Sequence, residues 1–163
     1  MLASMADSHA SKALSLVFAD EAATARFGAK LAAILKPGDV VALRGGLGSG
    51  KTALTRAVVR AFLPEEEVPS PTFTLVQIYA APNFAIWHVD LYRLKDAREV
   101  AELGLDEATD QGAALLIEWP ERSGNWLPED RVDIALALGT TQGERRADIT
   151  GLGIWADRIE ALR

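Results

Sequence analysis

The chain has 163 residues, a formal net charge of −6 and no cysteine, which excludes disulfides, thiolate nucleophiles and cysteine-ligated zinc. One domain of ordinary size fits that length and can bury a core unaided. An acidic balance with no run of lysine or arginine argues against direct gripping of nucleic acid, which needs a dense basic face. No stretch of roughly 18 apolar residues suggests a membrane span, and the opening residues lack the basic start and apolar segment of a signal peptide, so a cytoplasmic protein is expected.

Residues 1–12 are small and polar and read as a loose tail, leaving 13–163 as a single domain. "LSLVF" (14–18) reads as a strand. Asp20 can cap a helix with Ala23, Phe27, Leu31 and Ile34 on one face. "KPGD" (36–39) is a turn, and "VVAL" (40–43) is a continuous apolar run of the kind found in strands covered on both faces. After a glycine-rich segment, Ala53, Leu54, Ala57, Val58 and Ala61 form one face of a second helix that ends near Pro64. "EEEVPSPTFTLVQIY" (65–79) passes from a loop into a strand at about Thr74. "FAIWHVD" (84–90) and "AALLIEW" (113–119) are apolar runs that lead into acids, with a short helix expected over 96–103. "RVDIALAL" (131–138) and "RRADIT" (145–150) alternate, as half-exposed strands near an edge would. "WADRIEALR" (155–163) closes as a helix. Strands alternating with helices predict an α/β domain with a mainly parallel central sheet, and strands added towards the C-terminus make that sheet mixed.

Within "RGGLGSGKTALTR" (44–56), Gly45, Gly50, Lys51 and Thr52 satisfy G-x-x-x-x-G-K-[ST]. Such a loop, here Gly45, Gly46, Leu47, Gly48, Ser49 and Gly50, curls so that backbone N–H groups point inward. The following helix adds the positive end of its dipole. Lys51 supplies a full charge near β- and γ-phosphates, and the Thr52 hydroxyl can ligate Mg²⁺. The two asparagines, Asn83 and Asn125, are not followed by lysine, so the guanine-reading N-K-x-D motif is missing and ATP is the expected nucleotide.

Hydrolysis also needs carboxylates, which in parallel sheets stand at the carboxyl ends of strands. Asp90 and Glu118 qualify, with Glu118 able to reach a metal directly or through water; a cap or loop hydrogen bond is the alternative for each. In "SPTFT" (70–74) the Thr72 hydroxyl is a candidate for contacting Mg²⁺ or a γ-phosphate, as switch threonines do, though the segment also reads as a plain turn. His88, inside an apolar run, reads as a core histidine rather than a base. Trp119 reads as packing or as an aromatic at the mouth of the site, and Arg93 as a partner for Asp90, a nearby acid or phosphate.

"GGLGSGKT", "VPSPTFTLVQIY", "HVDLYRL" and "LIEWPER…LP" resemble, in order and approximate spacing, the bacterial TsaE (YjeE) family, from about Leu14 to Thr150. The resemblance implies a P-loop NTPase-like fold and the ATPase component of tRNA threonylcarbamoyladenosine (t6A) biosynthesis. It implies two partners, TsaD and TsaB, with tRNA met only through their complex, and ATP hydrolysis that resets the complex between turnovers. By motif position, Lys51 and Thr52 would bind phosphate and Mg²⁺, and Thr72 would be the switch threonine. Asp90 and Glu118 would be the acids needed for metal binding and hydrolysis, with Trp119 beside them. Gly46 stands where aspartate is common in the family, which removes a negative charge from the phosphate loop. A small-molecule kinase using the same loop is the rival reading; such kinases usually carry an arginine-bearing lid, and the region after residue 119 has few arginines.

Overall fold

A computed structural model describes residues 10–163. The expected tail over 1–12 lies mostly outside those residues; its last two, Ser11 and Lys12, already belong to the first strand.

Among the described residues, seven strands form one sheet in the order β1-β7-β6-β2-β5-β4-β3. The strands are β1 (Ser11–Phe18), β2 (Val40–Arg44), β3 (Val76–Ala80), β4 (Ala85–Asp90), β5 (Ala114–Glu118), β6 (Arg131–Leu138) and β7 (Arg145–Leu152). The central strands β6, β2, β5 and β4 run parallel. Antiparallel strands finish both sides, β7 and β1 beyond β6, and β3 beyond β4.

As expected, β6 and β7 lie near an edge: β7 is next to the edge strand β1, and β6 follows it as the parallel neighbour of β2. Their alternation follows from this place. Val132, Ile134, Leu136, Ala147 and Ile149 face the core, while the intervening residues are exposed or half-buried because that side of the flank is uncovered.

In the centre both faces are covered. Val41, Leu43 and Leu116 pack against one cluster, built with Phe27, Leu31, Leu54 and Val58. Val40, Leu115 and Ile117 pack against another, built with Val100, Leu105 and Ala108. The first layer is α1 (Glu21–Ile34) and α2 (Lys51–Phe62); the second is a 3₁₀ segment (Ala97–Leu103) and α3 (Leu105–Asp110). The closing helix is short, α4 (Trp155–Arg158) followed by a 3₁₀ turn, and it buries Trp155 and Ile159 in the first cluster.

Asp20 caps α1 as expected, its carboxylate accepting from Ala23 N at 2.8 Å. The buried face of α2 is turned from the one expected: Leu54, Thr55, Val58 and Val59 meet the sheet, whereas Ala53 and Ala61 are exposed. Alanine is too small to mark a face by itself, and the β-branched Val59 decides it.

Candidate functional site

The glycine-rich segment leaves the carboxyl end of β2 and turns into α2, so the first turn of a helix faces the top of the central sheet. Backbone geometry explains the glycines. Gly45 (φ 141°) passes so close to Leu136 O and Ser49 Oγ that a Cβ would stand within 2.4 and 2.5 Å of them. Gly50, the residue that opens α2, has φ 108°, which L side chains rarely adopt. Gly46 has open space around it, and Leu47 projects at 73% exposure. Ser49 Oγ is buried with no hydrogen-bond partner among the described residues.

Lys51 Nζ donates to Gly45 O at 2.6 Å and Gly46 O at 2.8 Å, and stands 4.3 Å from the centre of the Trp119 ring. Burial lowers its pKa from the ordinary lysine value, against the opposing pull of Glu118, Asp90 and Glu121. The ammonium is thus short of solvation and suited to an anionic partner.

The two acids end neighbouring parallel strands and are paired in register, Asp90 beside Glu118. Both are buried. Glu118 accepts from Thr52 Oγ1 at 3.1 and 2.9 Å and lies 2.5 Å from His88 Nε2. With its ring proton on Nε2, His88 donates to Glu118 and fixes the carboxylate. Asp90 accepts from Ser70 Oγ at 2.8 Å and from Tyr92 N at 2.9 Å. Ser70 Oγ in turn accepts from Thr72 Oγ1 at 3.3 Å, which ties the 70–74 loop to the acid. Among the described residues, the two non-glycine residues with positive φ flank this centre: Trp119 (φ 58°) directly after Glu118, and Leu75 (φ 66°), whose carbonyl accepts from Asp90 N. Backbone strain of this kind gathers where a site requires a particular side-chain direction. At Trp119 the turn sets the ring against Lys51 and against Tyr92, at 5.0 Å between centroids.

One open pocket of about 430 Å³ is lined by Leu47, Gly48, Ser49, Gly50, Lys51, Thr52, Thr72, Asp90, Glu118 and Trp119, so residues from four separated segments meet there. Gly45 and Gly46 do not line it; their carbonyls accept from Lys51, which does. Sequence reasoning missed Ser70, Tyr92 and Arg145, which line the same pocket. It also set aside His88, whose i, i+2 relation to Asp90 on one strand was the available signal. Arg93 stacks on the Phe73 ring at 4.6 Å, while Asp90 is held by Ser70 and Tyr92.

The donors around Thr52 are a hydroxyl and a carboxylate, hard oxygen groups that fit Mg²⁺ held mainly by phosphate and water. Among the described residues no group of three or more His, Asp or Glu side chains forms a metal cage, and no helix is long and apolar enough to cross a membrane.

A phosphate loop between a parallel strand and a helix, with acids at the tips of the next two strands, defines a P-loop NTPase-like protein. Comparison with known proteins narrows that class. The family model described as threonylcarbamoyl adenosine biosynthesis protein TsaE matches residues 18–147, and the chain belongs to the TsaE family. Relatives named tRNA threonylcarbamoyladenosine biosynthesis protein TsaE include one from Rickettsia bellii, 44% identical over 119 residues, covering 72% of this chain and 82% of the relative. Another, from Bacillus subtilis, is 37% identical over 131 residues, covering 80% and 79%. The crystal structure of Bacillus subtilis YdiB superposes with a TM-score of 0.75 at 31% identity, covering 95% of this chain and 94% of that one.

Proposed function

We propose that the protein is a Mg²⁺-dependent ATPase of t6A biosynthesis, hydrolysing ATP to ADP and phosphate to sustain turnover of a TsaD–TsaB complex in the cytoplasm, with tRNA met only through that complex. The observation that carries the chemistry is the convergence of Lys51, Thr52, Asp90 and Glu118 on one pocket at the carboxyl ends of β2, β4 and β5. Family membership and the names of the relatives support the pathway.

The phosphate loop binds the β- and γ-phosphates through its N–H groups, and Lys51 turns from the Gly45 and Gly46 carbonyls to the phosphate oxygens. Thr52, with Glu118 directly or through water, would hold Mg²⁺, and the cation would neutralise charge that builds on the phosphates. Glu118, held by His88, and Asp90 orient the attacking water, and Asp90 also positions Thr72 through Ser70. Thr72 closes on the terminal phosphate as the 70–74 loop orders.

Hydrolysis by the isolated chain is slow, and the partner complex raises it by ordering that loop or completing the site. Steady-state phosphate release with and without TsaD–TsaB, in Mg²⁺ and in chelator, tests this. Partner-stimulated, Mg²⁺-dependent release is expected. Fast turnover indifferent to the partners contradicts the proposal, and phosphate transfer to a metabolite pool instead of water makes the protein a kinase.

A further inference from the structure

Arg93 and Phe73 stand next to the site without lining its pocket. Phe73 is 83% exposed in the 70–74 loop, directly after Thr72. Single apolar residues at a surface are common, so exposure alone assigns it nothing. Its neighbour does. The Arg93 guanidinium lies over the ring, 4.6 Å from the centroid. Among the described residues this is the one aromatic or cation contact that the ring makes.

The segment that carries Arg93 grips the loop twice. At the base, Asp90 accepts from Ser70 Oγ at 2.8 Å, and Asp90 N donates to Leu75 O at 2.9 Å. Leu75 N donates to Pro71 O at 2.9 Å and closes the turn. At the tip, Arg93 covers Phe73. The backbone under Arg93 is itself fixed, because Leu91 and Leu94 are buried and Leu94 N donates to Leu91 O at 3.0 Å. Thr72 sits between the two grips and lines the pocket. Its own hydroxyl makes a long hydrogen bond, 3.3 Å to Ser70 Oγ, so its direction depends on what holds the residues around it.

We infer that Arg93 is a positioning residue for hydrolysis: its stack on Phe73 holds the tip of the loop so that Thr72 faces the terminal phosphate. The inference rests on the ATPase reading given above and adds to it a residue that touches neither nucleotide nor Asp90. An exposed cation–π stack biases a two-state equilibrium by about two- to fivefold. That favours one loop position without locking it.

Single-turnover ATP hydrolysis by the isolated chain in Mg²⁺, measured beside calorimetric ATP affinity, tests this. Both side chains are exposed, so their replacement keeps the fold. Arg93→Ala and Phe73→Ala should each slow hydrolysis about two- to fivefold, with ATP affinity held within about twofold. The double variant should be no slower than either single one, and Phe73→Trp, which keeps a ring for the cation, should restore the rate. In a Thr72→Val background, Arg93→Ala should have no further effect. An unchanged rate in Arg93→Ala overturns the role, as does the same slowing with and without the Thr72 hydroxyl. A loss of ATP affinity in Arg93→Ala makes it a nucleotide contact instead and also overturns it. A wild-type chain that hydrolyses no ATP, alone or with the partner complex, overturns the ATPase reading and this role with it.

Discussion

The two sides of the sheet obey different rules. In the parallel centre, β2 and β5 are buried on both faces, so their side chains emerge only at the strand tips, and there the acids and the phosphate loop collect. On the flank formed by β6, β7 and β1, the strands bury one face and leave the other to solvent. That flank closes the core with Ile149 and Trp155 and, among the described residues, contributes Arg145 to the pocket beside the glycine-rich loop. Chemistry and stability are thus divided between the two, and a substitution on one side should leave the other's readout alone.

The sharpest test of that division is Glu118→Gln. The amide keeps an acceptor for Thr52 and His88 but loses the charge, so ATP hydrolysis should fall roughly 10²- to 10⁴-fold while nucleotide affinity stays within a few-fold. Equal losses in single-turnover hydrolysis and in binding would make Glu118 a structural residue. The converse experiment is Ile149→Ala in the flank. Deleting this fully buried side chain should cost about 2–5 kcal/mol in denaturant unfolding, with ATP affinity of the folded protein unchanged. A matching loss of affinity would mean that the flank and the site are coupled. The smallest effect is expected for Arg146→Ala, on the open face of β7, which should shift stability by less than about 0.5 kcal/mol and leave nucleotide binding unaltered. Together with the neighbouring Arg145, which lines the pocket, it asks whether adjacent residues on one strand serve different ends.

Much of this was legible in the sequence because it is local. The phosphate loop is one contiguous motif, and the continuous runs before Asp90 and Glu118 announce strands covered on both faces. The pairing of those acids in register and the position of β6 next to β2 depend on long-range contacts that no window of sequence contains. Alternation revealed that β6 has a solvent face but not which strands it pairs with. His88 looked like an ordinary core residue because its partner, Glu118, is 30 residues away. Arg145 is 97 residues from Gly48, and nothing in "RRADIT" points to the loop. The short α3 was missed because its six residues are too few to establish a helical period.

The central claim is that Lys51 and the loop around it hold a nucleotide triphosphate. Calorimetric titration of the wild type and of Lys51→Ala with ATP and Mg²⁺ tests it directly. The wild type should bind with one site per chain, and the variant should lose roughly 100-fold in affinity, about 2–3 kcal/mol, while its unfolding midpoint is kept. Undiminished affinity in a folded Lys51→Ala protein would contradict the account.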